Sequence, residues 1–321
     1  MLKTVLRRML QSVPTLLIVV SLTFVLTRLI PGNPARVALG PQASPDAIAA
    51  MEEKMGLNKS KLEQYINYIS DVAKGNFGYS YIDHRPVTSL IAERIPNTLV
   101  LAFSSLIIAL ILGVAAGIFS ALHPYSFWDY VFMLLALIGV SMPIFWLGLM
   151  LVSTFSVRLG WLPALGMGDL SKGFVDYFSH MVLPVFCLAT IPMATFARIS
   201  RSSMLEIINN DSIKALRARG IKENKVIWKH ALKNALPPIV TVLGLQIAQA
   251  FTGAILTESI FSWPGMGTMV VNAINNRDYQ LVQGVVLFVA IIFVLVNLLV
   301  DLVYMLINPR VNYEASRGGK S

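Results

Sequence analysis

Long apolar runs alternate with polar segments along this 321-residue chain. A helix needs about 20 apolar residues to cross a bilayer, and six runs approach or exceed that length. These runs cover residues 13–30, 97–122, 130–157, 181–197, 236–256 and 282–307. The pattern predicts an all-α, polytopic membrane protein with six transmembrane helices. The first run is interpreted as a retained span, because no small-residue cleavage site closes it.

Prolines interrupt some of the predicted spans. Met142-Pro143 lies near the middle of the third span, and Pro184 and Pro192 lie in the fourth. A proline inside a helix removes a hydrogen bond, so it either kinks the helix for packing or frees carbonyls that line a cavity. Both interpretations of the third span stay open, and packing is the favoured one.

Residues 31–96 are polar with balanced charges, and they predict a small helical cap outside the bilayer. Ser44-Pro45 begins one helix that ends at Gly56, and a second amphipathic helix covers about 62–69. Asn97 is then expected to cap the second span. The cap is either a docking surface or lid, or a structured connection that packs on the spans.

The segment 198–235 is the one long, strongly basic stretch between two predicted spans. Residues 210–212 offer helix-capping side chains, residues 213–219 favour helix, and Gly220 stands where a helix ends in the left-handed conformation. A second helix is predicted from Glu223 to the Pro237-Pro238 pair. The segment therefore predicts two short helices joined by a glycine corner, at a place where a membrane protein meets a soluble partner.

The predicted elements divide the chain into three parts. Residues 1–30 hold the first span, residues 31–96 form the cap, and residues 97–321 form a core with five spans. The core includes the basic loop 198–235 and a polar tail at 308–321.

Charge sets the orientation of the predicted spans. Hydrophobic residues make up 55% of the chain and charged residues 13%, which supports an integral membrane protein. Lysine and arginine number three before the first span, nine in residues 198–233 and three in the tail, against three in the two shorter external loops. The positive-inside rule therefore places both termini in the cytoplasm. The net charge of +9 does not indicate nucleic acid, because the basic residues cluster at the edges of apolar runs.

Enzyme chemistry finds little support in the sequence. There is no phosphate-binding glycine loop, no His-Glu-x-x-His and no serine elbow, and the four histidines are scattered. Cys187 lies in an apolar run and is interpreted as a small buried hydrophobe. Glu258 and Asp301 are acids in or beside spans, and they are expected near the outer and inner interfaces respectively. Two other classes of membrane protein are less well supported. A secondary transporter requires repeated halves and paired intramembrane charges, and the sequence shows no clear internal repeat and few such acids. An intramembrane enzyme requires an acid–base or metal set, which the sequence lacks.

Four segments together carry a resemblance to a known family. They are Ile30-Pro31-Gly32-Asn33-Pro34, Ser141-Met142-Pro143-Ile144-Phe145-Trp146, Arg201-Ser202-Ser203-Met204-Leu205-Glu206 and Glu258-Ser259-Ile260-Phe261-Ser262-Trp263-Pro264-Gly265. With them, the chain resembles a permease subunit of an ATP-binding-cassette (ABC) importer, of the B-type in the dipeptide, oligopeptide and nickel uptake group. The resemblance implies the fold of a type I importer permease.

The resemblance also implies a coupling helix in the basic loop, which sits in a groove on the ATP-binding subunit. Of the general importer signature, Ala215, Gly220 and Leu232 match. The implied coupling residues are Asp211, Lys214, Ala215, Leu216, Arg217, Ala218, Arg219 and Gly220. Candidates for the translocation path or gate are Met142, Pro143, Trp146 and Glu258. The small alanines permit close approach and the arginines offer charge-assisted contacts. The alternative is a basic amphipathic pair that lies on anionic lipid.

The implied assembly is a bacterial inner-membrane importer. Its other parts would be a homologous C-type permease subunit, two ATP-binding subunits that carry ATP and Mg²⁺, and an external solute-binding protein. This chain would contact membrane lipid, bind no cofactor and catalyse no reaction. Dipeptides or oligopeptides are the first expected substrates, then glutathione, then nickel or its chelate. Direct nickel ligation is disfavoured because the spans hold no cluster of His, Cys or carboxylates.

Overall fold

The computed structural model describes residues 2–29 and 32–307. Its helices are α1 (Leu2–Leu29), α2 (Pro34–Leu39), α3 (Pro45–Lys54), α4 (Lys61–Ala73), α5 (Val87–Leu122), α6 (Phe127–Ser141), α7 (Ile144–Leu151), α8 (Phe174–Ile208), α9 (Asp211–Ala218), α10 (Glu223–Lys225), α11 (Leu232–Ile260), α12 (Met266–Asn275) and α13 (Tyr279–Ile307). Two π-helical turns cover Val152–Arg158 and Val226–Ala231, and Leu170–Lys172 is a short 3₁₀ turn. The predicted tail at 308–321, the side chain of Asp301, and Ile30 and Pro31 lie outside the described residues.

The chain divides into two compact units. The first holds Met1–Thr98 and Pro264–Leu295, and the second holds Leu99–Trp263 and Val296–Ser321. In the first unit, α3 and α4 begin at serine caps, since the hydroxyls of Ser44 and Ser60 accept the N–H groups of residues 47 and 63. The two predicted helices of the cap are therefore confirmed.

A two-stranded hairpin and an apolar cluster complete the first unit. Strands β1 (Tyr79–Ser80) and β2 (Arg85–Pro86) pair antiparallel, with Ser80 opposite Arg85. The cluster joins the start of α5 to α12 and the start of α13 through Val87, Leu90, Ile91, Met266, Val270, Ala273, Leu281 and Val285.

Apolar helices confirm the membrane character of the chain. Among the described residues, four helices are long and apolar enough to span a bilayer, at Leu10–Leu29, Val87–Leu122, Phe174–Ile208 and Tyr279–Val300. A fifth is obtained if the bent pair Phe127–Ser141 and Ile144–Arg158 counts as one span. The predicted span 236–256 lies inside α11. The all-α fold is thus confirmed, and the count of six spans stays a prediction.

The helix that contains the second span starts earlier than predicted. It begins at Val87, and Pro96 lies within it. Val87 and Ile91 are buried in the apolar cluster of the first unit, and this packing holds the helix together where Pro96 removes one hydrogen bond. Asn97 is therefore not a helix cap. Its amide Nδ2 instead donates to the carbonyl of Pro264 at 2.8 Å.

The break at Met142-Pro143 is sharper than a packing kink. Helices α6 and α7 meet at an angle of 107°. Met142 and Pro143 are both extended, with ψ of 130° and 131°, since a residue before proline disfavours the helical conformation. The predicted third span is therefore two helices joined by an extended corner.

The prolines of α8 and α11 lie within continuous helices, although the sequence suggested that they would interrupt or end them. Helix α8 continues to Ile208, so the first part of the basic loop, from Arg198, is helical. Helix α11 runs through Pro237 and Pro238, where a helix end was predicted. Buried Ala235 and Ile239 hold this stretch against two apolar clusters of the second unit. This packing offsets the hydrogen bonds that the prolines remove.

Candidate functional site

Residues 210–226 form a compact basic corner in the second unit. The side chain of Asn210 accepts the N–H of Ser212 at 3.1 Å and so caps α9. Gly220 has φ of +76°, and its N–H donates to the carbonyl of Arg217 at 2.9 Å. A side chain with a Cβ is strained in that conformation. The predicted capped helix and glycine corner are confirmed.

An apolar foot attaches the basic corner to the surrounding helices. Ile213 is only 1% exposed, and Val226 is fully buried. Both pack in one cluster with Ile118, Ala121, Met204, Ala231 and Ala235. Burying an isoleucine side chain contributes roughly 2–3 kcal/mol, so the corner is held as a rigid extension of α8 and α11.

The opposite face of the basic corner is exposed. Lys214, Ala215, Ala218, Arg219 and Gly220 are exposed there. Half-buried Leu216 packs against the apolar foot. The structure therefore places all the predicted coupling residues on one short element, most of them on its open face.

Two of the predicted contact charges already have partners within the chain. Arg217 donates from Nη2 to Glu223 Oε1 at 2.6 Å and from Nε to Oε2 at 3.0 Å. These hydrogen bonds and the charge of Arg217 lower the pKa of Glu223, and Glu223 raises the pKa of Arg217. Lys214 pairs with Asp211 at 2.9 Å. Within the described residues, Arg219, Lys222 and Lys225 of the corner are exposed and have no ion-pair partner, and Arg219 is the one of these three that belongs to the predicted coupling residues.

The candidate path residues lie on neighbouring helices of the second unit. Met142 and Pro143 form the break before α7, and Trp146 lies exposed in the first turn of α7. Glu258 lies near the end of α11 and is 0% exposed. Glu258 is therefore buried among protein side chains, and its position near the outer membrane interface stays a prediction. Trp146 is exposed whereas Glu258 is buried, so the structure places these two side chains in different surroundings.

Two polar features of the second unit were missed by the sequence argument. Arg201 of α8 forms a bidentate ion pair with buried Asp129 of α6. Gln246 and Gln249 bring carboxamides into the apolar stretch of α11, and Gln246 is nine-tenths buried. For the two glutamines the sequence signal was a polar residue inside an apolar run, whereas Asp129 and Arg201 lie beside apolar runs and their pairing depends on the fold.

No group of three or more His, Cys, Asp or Glu side chains in the described part of the chain is placed to hold an ion. Cys187 is buried, as predicted.

Comparison with known families decides the assignment. A family profile described as the binding-protein-dependent transport system inner membrane component matches residues 113–313. The chain belongs to this family. A second profile, for the N-terminal part of such membrane components, matches residues 1–102. As members of this family do, this inner membrane component works with ATP-binding subunits and a substrate-binding protein.

Curated relatives match this inner membrane component along nearly its whole length. The dipeptide transport system permease protein DppB of Alkalihalophilus pseudofirmus is 46% identical over 98% of this chain and 100% of its own. The oligopeptide transport system permease protein AppB of Bacillus subtilis is 39% identical over 96% and 99%. The glutathione transport system permease protein GsiC of Salmonella typhi is 40% identical over 98% and 100%.

A solved structure agrees with the fold. A chain of the inward-facing MetNI methionine ABC transporter is similar with a TM-score of 0.55 and 18% identity, over 68% of this chain and 96% of that chain. The predicted resemblance to an ABC importer permease of type I fold is therefore confirmed. This inner membrane component is a multi-pass membrane protein.

Proposed function

We propose that this chain is the B-type permease subunit of a bacterial ABC importer for dipeptides or oligopeptides. With a homologous C-type permease subunit, it forms the path across the membrane. Two partner subunits bind ATP and Mg²⁺ and hydrolyse ATP, and the chain itself has no catalytic residue. The observation that carries the proposal is the full-length similarity to DppB, a permease named for dipeptides, at 46% identity.

Glutathione is the second candidate substrate. Permeases named for glutathione transport are 38–40% identical to this chain over 98% of its length, close to the value for AppB. Glutathione is itself a peptide, so a path for peptides suits both. Nickel ranks below them, since the described residues offer no cluster of metal ligands.

The basic corner supplies the connection to ATP. Its apolar foot fixes it to α8 and α11, while Ala215, Ala218 and Arg219 face outward. Small side chains allow the ATP-binding subunit to approach the helix closely, and Arg219 gives a charge-assisted contact. Movement of that subunit would pull the corner and, through the foot, the long helices. Coupling requires that the contact differ between the two states of the transporter.

A competition experiment tests the substrate. A strain that lacks this gene would receive it on a plasmid, and uptake of labelled dipeptide, glutathione and nickel would be measured with each unlabelled competitor. We expect restored dipeptide uptake that excess glutathione or nickel does not abolish. Restored nickel uptake with no effect on either peptide would reject the proposal, and restored glutathione uptake alone would select the second candidate.

A further inference from the structure

The second unit contains a small cavity, which we call the glutamine pocket. It has a volume of about 160 Å³ and lies between α5, α7, α8 and α11. Its wall includes Ser105, Ile144, Leu188, Pro192, Gln246 and Gln249. Every lining residue belongs to this chain, and none of them carries a charge.

Gln246 gives the glutamine pocket its hydrogen-bonding capacity. The side chain is 8% exposed, and none of the side-chain hydrogen bonds of the described residues involves it. Its carboxamide is thus available to a ligand in the pocket, and polar groups inside membrane helices mark functional sites. Gln249, three residues on, lies on the same side of the helix. Each carboxamide offers one acceptor oxygen and two N–H donors.

Broken backbone adds to the same wall. Pro192 has no N–H to give to the carbonyl of Leu188, four residues earlier, and both residues line the pocket. Ile144 is the first residue of α7, where N–H groups have no partner further back in the helix. Pro143 provides no side-chain cap there. The pocket is thus lined by two carboxamides and by residues at which the regular helical hydrogen bonding is interrupted.

We infer that the glutamine pocket binds one uncharged peptide group of the substrate as it crosses the membrane. Gln246 is the main contact, donating to the substrate carbonyl and accepting its N–H, and Gln249 is the second. This inference rests on the proposed function, since it names the part of the peptide that this chain recognises. The volume suits one peptide group with a small side chain and not a whole peptide. The uncharged wall suits an amide better than a charged terminus or a metal ion.

The test changes the protein and the peptide bond together. The complete importer, with its partner subunits and binding protein, is reconstituted in vesicles. Uptake of glycylglycine is compared with uptake of glycylsarcosine, whose peptide nitrogen is methylated and donates no hydrogen bond. The variants are Gln246→Leu, Gln249→Leu and, as a control on the same helix outside the pocket, Thr241→Val. The ratio of glycylglycine uptake to glycylsarcosine uptake is compared between variants. Because the binding protein is the same in every preparation, its own preference for one peptide cancels in this comparison.

Loss of uncharged hydrogen bonds corresponds to about a threefold to tenfold effect. We expect Gln246→Leu to lower glycylglycine uptake, measured at limiting peptide, by about this threefold to tenfold factor. The factor by which it lowers glycylsarcosine uptake should be smaller by about twofold or more. Gln249→Leu should show the same pattern more weakly, and Thr241→Val should leave both rates unchanged. Copurification with the partner subunits checks assembly, and the milder Gln249→Leu keeps the test decisive if Gln246→Leu does not assemble.

Equal losses for the two peptides, or no loss in either glutamine variant, would overturn the inference. That outcome leaves the proposed function standing, because the wild-type importer would still take up peptide. A wild-type importer that transports neither peptide would instead reject the proposed function itself. The two failures are therefore distinguishable in one set of vesicles.

Discussion

Arg201 of α8 donates to both carboxylate oxygens of Asp129 of α6, from Nε and from Nη2, each at 2.7 Å. Asp129 is 2% exposed and also accepts the N–H of Tyr125, so its charge is fully paired. Arg201 lies in the same helix that leads into the basic corner. The pair therefore fixes the helix on which the corner is mounted.

Removal of one partner should be costly. Arg201→Met leaves a buried carboxylate without its cation, and we expect a loss of about 3 kcal/mol in the stability of the purified protein. Asp129→Asn should cost a similar amount, and the double variant should cost less than the sum of the two. Thermal unfolding of the three variants measures this coupling. Asp211→Asn, in an exposed pair, is the control and should cost less than about 0.5 kcal/mol.

Charge reversal at Arg219, the unpaired cation among the predicted coupling residues, should uncouple the transporter. Arg219→Glu leaves the capped helix and its foot intact, but it replaces attraction to the ATP-binding subunit with repulsion. We expect normal membrane insertion, continued ATP hydrolysis and loss of most peptide uptake. Reconstituted vesicles measure both rates. Lys229→Glu is the charge-matched control beyond the corner, and normal uptake by Arg219→Glu would contradict the coupling role.

The shape of the corner should matter separately from its charge. A bulky side chain at Gly220 is strained at φ of +76°, so Gly220→Trp should distort the turn and also uncouple hydrolysis from uptake. Ile213→Ala should loosen the corner by removing about 2–5 kcal/mol of packing. Limited proteolysis measures the loosening, with Leu216→Ala as the half-buried control. Unchanged cleavage of Ile213→Ala would show that the foot is not what holds the corner.

Orientation can be read from three cysteine labels. Ser60, Asn224 and Asn275 are exposed in the structure, and the native Cys187 is buried, so background labelling should be low. An impermeant thiol reagent should label Ser60→Cys and Asn275→Cys in sealed cells and label Asn224→Cys only after lysis. Labelling of Asn224→Cys in sealed cells would invert the proposed topology.

Acidification should strengthen one contact of the first unit. Burial raises the pKa of Asp278, against the hydrogen bonds from Ser80 and from the N–H of Leu281, which lower it. The folded state therefore binds the proton more tightly, and stability should fall as pH rises from the ordinary aspartate value of about 3.9 to the folded pKa. Hydrogen exchange at residues 278–281 follows this change. Asp278→Asn should remove the dependence, and an unchanged profile would refute the assignment.

Local chemistry explains what the sequence predicted well. Ser44 and Asn210 cap helices through their own neighbours, and Gly220 ends α9 by its own backbone freedom. Such features depend on a few adjacent residues. The strength of the apolar runs likewise indicated the membrane class.

Contacts distant in sequence explain what was missed. Pro237 and Pro238 remain helical because Ala235 and Ile239 pack on other helices. Glu258 is buried by its surroundings, and the importance of Gln246 follows from a cavity shared by four helices. A propensity or a motif does not contain the position of such partners.

Contacts within the chain hold the basic corner in shape, and in the proposed importer this would affect how tightly a partner subunit binds there. Ordering a residue costs about 1–2 kcal/mol of backbone entropy, and the cap at Asn210, the foot at Ile213 and the Arg217–Glu223 pair already supply that order. An ATP-binding subunit that docks there meets a preorganised surface, so its binding energy is not consumed by folding a loop. In the proposed coupling, the same stiffness would transmit movement of the ATP-binding subunit to the long helices with little loss.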